Sequence, residues 1–169
     1  MAESSSRWPM FPAGVSTTFP SFPDIERRSM PEIHHEIKIA ASQEQVYRAL
    51  TTPDGIKGWH TPLVRGTGDV GTEWVFAFTD HPDFGWLVVA SEEPTLVGWR
   101  CTKGPGDSAG TSVTFTLTPA GAGRTLVEHV HAGWPGTDGN FRKCNTTWGV
   151  LLHHLRDHVE SGRIAPAFN

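Results

Sequence analysis

Two groupings of histidine have the residue types and spacing to do chemistry. His129 and His131, in RTLVEHVH (124–131), are two positions apart. In an extended strand both imidazoles therefore leave the same face, together with Val127, while Leu126, Glu128 and Val130 take the other. If the Glu128 face is the wet one, both histidines look inward. An imidazole there must find a hydrogen-bond partner or a ligand. The ordinary reading is a satisfied core histidine; the alternatives are a polar contact for a bound small molecule and an acid–base role. The second grouping is His153, His154 and His158 in TTWGVLLHHLRDHVESG (146–162). His154 and His158 are one helical turn apart and could share a metal. No carboxylate or thiol on that face completes a ligand set, and Asp157 lies on the far side. Solvated histidines are the expectation, with no metal and no cofactor.

Other chemistries find little support. The chain contains no H-E-x-x-H and no phosphate-binding glycine loop, and its one G-x-S-x-G, GDSAG at 106–110, lies between two expected strands rather than between a strand and a helix. GPGDSAG (104–110) has the spacing of a flexible hairpin. Glu73, Glu92, Glu93 and Glu128 form no evident catalytic pair; Glu92 and Glu93 are adjacent in a strand and face opposite ways.

These residues must be positioned by the elements around them. EIHHEIKIA (32–40) alternates as a strand, with Ile33, His35, Ile37 and Ile39 on one side. Ser42 and Gln45 make a capping box for a helix carrying Val46, Ala49 and Leu50. A short helical turn follows Pro53 and ends on Trp59. From there to residue 132 the pattern is strands broken by Gly and Pro: 72–79, 84–93, 95–101, 111–118 and 124–131. That spacing predicts an antiparallel meander. A long helix from Phe141 to Glu160, about 30 Å at 1.5 Å per residue, has Asp138 as its expected cap and Gly162 as its end. Its stripe of Phe141, Cys144, Trp148, Leu151, Leu152, Leu155 and Val159 must bury itself against the sheet.

Composition agrees with one domain of ordinary size. The chain has 169 residues, seven Trp, nine Phe and a formal charge of −4. Lys and Arg are scattered, which gives no basic groove for nucleic acid. No apolar run is long enough to span a bilayer. Cys101 and Cys144 are the only cysteines and are too few and too far apart in sequence for a disulfide framework or a zinc ribbon. A cytoplasmic protein is expected. Residues 1–30 differ in texture: Pro9, Pro12, Pro20 and Pro23 prevent a continuous helix, yet Trp8, Phe11, Phe19 and Phe22 are not what a solvated tail needs. This is either an arm that lays its aromatics on the domain or a partner, or sequence upstream of a domain beginning near Met30. The domain itself is expected over 31–165, with a tail at 166–169.

The order of elements, and the segments IKIAASQEQVYRALTTPDGIKGWH (37–60), EEPTLVGWRC (92–101), TSVTFTLTPAGAGRTLVEHVHAGW (111–134) and TTWGVLLHHLRDHVESG (146–162), resemble the SRPBCC superfamily, also called START-like or birch-pollen-allergen-like. The branch they are most similar to is named for the activator of heat shock protein 90 ATPase homologue. The resemblance implies an α+β helix-grip fold: a curved antiparallel sheet wrapped around a long C-terminal helix, two short helices after the first strand, and a cavity between sheet and helix. Members bind lipid-like, polyketide-like or other apolar molecules, and some are cyclases or hydrolases. Trp59 is then expected near the cavity mouth. Trp74, Phe76 and Phe78 are expected to face a ligand from one strand, and Trp86, Trp99 and Phe115 from the next three. His129, His131 and Trp134 would do so from the last strand and its exit, and Cys144 and Trp148 from the helix. His131 sits where this branch commonly has histidine, whereas His129 departs from the usual apolar residue. The expected function is binding of a small, mostly apolar ligand. The alternatives are a metal-free cyclase, dehydratase or hydrolase using His131 or His129, and a chaperone-associated interaction domain. The aromatic arm would be the contact in a homodimer.

Overall fold

The computed structural model describes residues 30–169, so the aromatic arm lies outside the described residues. Strand β1 (Ile33–Ile39) buries its two end isoleucines and exposes His34, Glu36 and Lys38. Helix α1 (Gln43–Thr51) starts in the predicted capping box: Gln45 N donates to Ser42 Oγ at 3.4 Å, and Ser42 N donates to Gln45 Oε1 at 3.0 Å. Thr52 ends α1 and caps α2 (Pro53–Trp59), accepting from Gly55 N at 3.1 Å. The turn between the helices is so tight that a Cβ on Gly55 would come within 2.6 Å of the Arg48 and Ala49 backbone. Only glycine fits this approach.

The remaining strands are β2 (Val64–Arg65), β3 (Glu73–Phe76), β4 (Phe84–Glu92), β5 (Leu96–Lys103), β6 (Ser112–Pro119) and β7 (Thr125–Ala132). They form one seven-stranded antiparallel sheet in the order β1-β7-β6-β5-β4-β3-β2. Register brings inward residues into rows. Ile33 pairs with His131, His131 with Val113, Val113 with Trp99, and Trp99 with Val88. The next row runs from His35 through His129 to Phe115 and Val97. Register shifts within β4, between Gly85 and Trp86 and between Val88 and Ala90, bend the sheet around the helix.

Helix α3 (Asn140–Ser161) lies across the inner face and buries Trp148, Leu151, Leu152 and Leu155. It ends at Gly162, whose left-handed φ of 71° is the predicted stop. Its start differs from expectation. Gly139, not Asp138, occupies the cap position and makes no side-chain cap; Asp138 instead pairs with Arg142 at 2.8 Å. With φ at 59°, Gly139 turns the chain in a way Asp138 would resist.

Three further expectations are corrected. The alternating run 72–79 is a strand only over Glu73–Phe76; beyond it Ala77 N still donates to Leu63 O at 3.0 Å, while Thr79 N turns to Asn169 O at 3.2 Å. The short β2 that pairs with β3 gave no periodic signal. Residues 166–169 do not form a separate tail. The chain turns back after α3 and runs along the end of α2: Ala165 N donates to Gly58 O (3.1 Å), Ala167 N to Trp59 O (3.0 Å) and Phe168 N to His60 O (3.0 Å). His154 and His158 hold this return. The Ala165 carbonyl meets His154 Nδ1 at 2.7 Å, and the Arg163 carbonyl meets His158 Nδ1 at 2.9 Å. These two histidines are therefore half-buried fasteners rather than solvated ones, and only His153 is fully exposed.

Candidate functional site

Most of the space between sheet and helix is filled by large side chains. At one end a hollow of about 290 Å³ remains, between the segment joining β3 to β4, β4 itself, β7 and the first half of α3. Trp86 forms its floor, with Phe84 stacked on it at 5.8 Å between centroids and 6° between planes. Phe78 and Phe168 close one side edge to face at 5.0 Å. Helix α3 contributes Cys144, Thr147, Trp148 and Leu151. The exposed rim residues are His81, Pro82 and Lys143. Pro105, Asn140 and Lys143 also line a shallow groove outside, where the hollow meets the surface.

His131 reaches this hollow, and its ring nitrogens are both engaged. The Trp148 indole N–H donates to His131 Nδ1 at 3.0 Å. An indole can only donate, so Nδ1 must be the unprotonated nitrogen. Nε2 then carries the proton and donates to Thr111 Oγ1 at 2.8 Å, whose own hydroxyl donates to Ser108 O at 2.6 Å. This relay fixes one tautomer and leaves His131 nothing to offer a substrate. Burial pushes its imidazole down to about 3, so it stays neutral near pH 7. Its role is to lock Trp148 in place, not to transfer protons.

His129 is fully buried but does not line the hollow. It lies under Trp148 at 4.1 Å between centroids and against Phe115 at 5.0 Å. Neither ring nitrogen has a partner among the described residues. Burial, and then the neighbouring His131, His35 and His34, hold its basicity well below the ordinary histidine range. Across the sheet, His35 Nε2–H donates to Asn145 Oδ1 at 3.0 Å and ties β1 to α3.

A second buried histidine lining the hollow is His60, which sequence reasoning missed. It follows Trp59 at the end of α2 and is 6% exposed. Aromatic rings surround it: Phe76 at 4.6 Å, Trp59 at 5.2 Å, Phe168 at 5.7 Å and Phe78 at 6.1 Å. Desolvation alone pushes its imidazole down to about 3. Its Nδ1 is buried without a partner among the described residues. A residue at a helix end carries no periodicity, so its only signal was adjacency to Trp59. Phe168 had a comparable signal, a lone aromatic in a stretch of small residues after Pro166.

The expected ligand-facing residues divide into two sets. Phe78, Trp86, His131, Cys144 and Trp148 line the hollow. Trp74, Phe76, Trp99 and Phe115 are fully buried core beside it. Trp59, expected at the mouth, is also fully buried and donates its indole N–H to Ala49 O at 2.9 Å. Trp134 packs on the far side of His131 at 4.6 Å. Both thiols are free, and burial pushes each up to about 11. Among the described residues no group of His, Cys, Asp or Glu side chains could hold a metal ion, and none of the residues lining the hollow is a carboxylate. No helix among them is long and apolar enough to cross a membrane.

Comparison with known proteins adds the following. The model of the family described as activator of Hsp90 ATPase homolog 1-like protein matches residues 40–160. No curated protein matches the sequence. The structure is similar to the Aha1 dimer from Colwellia psychrerythraea, with 35% identity, a TM-score of 0.72, and 79% of this chain and 98% of that chain covered. It is also similar to protein MLL2253 from Mesorhizobium loti, at 22% identity and a TM-score of 0.66, covering 75% and 95% of the two chains. CalU16 from Micromonospora echinospora shares the fold at 19% identity and a TM-score of 0.62, covering 79% and 76%.

Proposed function

The chain belongs to the activator of Hsp90 ATPase homolog 1-like family, and on that premise we propose that it binds a small, mostly apolar molecule in the hollow between sheet and α3. The observation that carries this reading is an unfilled space of about 290 Å³ beside a large buried aromatic core. Its walls are Phe78, Phe84, Trp86, Trp148, Leu151 and Phe168, and its one unpartnered buried polar side chain is His60. Ligand sites usually combine such apolar walls with a few polar groups, in roughly 300–1,000 Å³. This hollow sits at the bottom of that range, so its occupant is small. The locked tautomer of His131 and the lack of a carboxylate in the lining favour binding over acid–base turnover. Two free thiols fit a reducing, cytoplasmic setting. Native mass spectrometry of freshly purified full-length protein, with thermal shifts across a panel of small apolar compounds, tests the reading. A retained compound or a stabilising panel member is expected. Empty protein that no compound stabilises would sink it.

A second reading concerns assembly. The 35% identical relative is described as a dimer, and the aromatic residues at 8–22 give this chain a segment suited to the same end. Light scattering after size exclusion is expected to find a dimer for the full chain and a monomer once residues 1–29 are removed. Equal masses per particle for the two would refute the arm as the contact.

A further inference from the structure

His60 has a more specific consequence, which rests on the proposed ligand-binding role of the hollow. Its ring makes no hydrogen bond among the described residues. Nδ1 is shut away among side chains without a partner, Nε2 is not among the sealed, unpartnered atoms of the described residues, and the ring borders the hollow. A neutral imidazole carries one proton. An orphaned buried N–H is rarer in folded proteins than an under-satisfied acceptor. The proton therefore belongs on Nε2, where water or a ligand can take its hydrogen bond.

We infer that His60 is the specificity-determining residue of the hollow, its Nε2–H donating to an acceptor oxygen, such as a carbonyl, on an uncharged apolar ligand. Three observations converge on an uncharged acceptor. The ring is enclosed by Trp59, Phe76, Phe78 and Phe168, which offer no counter-charge. Desolvation holds the imidazole neutral, so it cannot balance a carboxylate. The one Lys of the lining, Lys143, is an exposed rim residue. Deep in the hollow, a hydrocarbon leaves the N–H unpaired, while a ketone pairs it. A site built around a donor discriminates against ligands that lack the acceptor, because the donor then stays buried and unsatisfied.

A matched pair of probes with one skeleton tests this: 1-indanone and indane, titrated by ligand-detected NMR into the full-length protein, its His60→Phe variant and its His60→Gln variant. The wild type is expected to favour the ketone by roughly tenfold, the scale of one net hydrogen bond. His60→Phe is expected to bind the two alike, and His60→Gln, which keeps an N–H donor, to retain part of the preference. Long-range proton–nitrogen correlation on the wild type is expected to find the His60 proton on Nε2 and perturbed by indanone alone. This measurement decides the matter even if a substitution at so buried a site fails to fold. Equal affinity of the wild type for both probes, or a proton on Nδ1 in the ketone complex, overturns the assignment while leaving the binding role intact. Failure of both probes to bind removes the binding role and the assignment with it.

Discussion

Helix α3 meets the sheet in two different ways. Along its second half it presents Leu152 and Leu155, which join Val46, Leu50, Ile56, Phe115 and Val127 in a continuous core. Along its first half it presents Cys144 and Thr147, which stop short of Trp86, and the hollow occupies the difference. Trp148 stands between the two, resting on Phe115 and His129 while lining the hollow as well. The lesson is one of side-chain reach. A helix that lies evenly along a sheet leaves space wherever its inward stripe passes from leucine to cysteine and threonine. Close packing resumes within one turn.

The largest test of this contrast is truncation on either side. Trp99→Ala, in the filled region, is expected to lower unfolding free energy by about 3–5 kcal/mol. Phe84→Ala, a half-buried wall of the hollow, should lower it by only about 1 kcal/mol. Urea unfolding measures both, and equal losses would mean the regions do not differ.

Acid probes both regions together. His60 and His131 are held at about 3 in the folded protein, down from an ordinary 6.5. The unfolded chain therefore takes up protons first, so stability is complete above pH 6.5 and falls as the pH drops from there toward 3. Between pH 7 and pH 5 each of the two should cost about 2 kcal/mol. His129 shifts in the same direction and adds to the loss. Thermal melting against pH should decline steeply over this window; a flat profile would mean that protons reach these rings without unfolding the chain.

The divider itself can be weakened. Trp148→Phe keeps most of the aromatic area but removes the donor to His131 Nδ1, leaving a buried acceptor alone. A loss of about 1–3 kcal/mol is expected. The His131 ring should also lose its fixed tautomer, visible in side-chain nitrogen spectra. The smallest effect is the most diagnostic. Thr147→Leu extends into the hollow and should change stability by less than about 1 kcal/mol, whereas Val113→Leu in the filled row should cost about 1–3 kcal/mol through overpacking. If Thr147→Leu is as costly as Val113→Leu, the space is not open to an added side chain.

Much of the fold was legible because its signals are repeated. β1, β6, β7 and the buried stripe of α3 each rest on several alternating or helically spaced residues, and β4 and β5 are runs bounded by the turn residues around Pro82 and Pro94. The capping box at Ser42 and the stop at Gly162 are single-residue signals, but each has one chemical meaning. The inward direction of His129 and His131 also followed from alternation. What alternation could not give was their difference. His131 is satisfied because Trp148 and Thr111, far away in sequence, arrive at its two nitrogens. The same limit hid His60 and Phe168, which sit on a helix end and on a returning segment and are brought together by backbone pairing. His154 and His158 looked solvated because the residues that cover them come after the helix ends.

The loop at 104–110 read as a loose hairpin, yet Ser108 is fully buried in it. Its carbonyl anchors Thr111, and its hydroxyl accepts from Asn140 Nδ2, which also donates to the Pro105 carbonyl. The loop thus acts as a shim wedged between the ends of β5 and β6 and the first turn of α3. Thickening or thinning it by a residue would tilt that end of the helix and reset the gap beneath it. Exchanging this one surface segment is therefore a route to resizing the chamber without touching any aromatic wall.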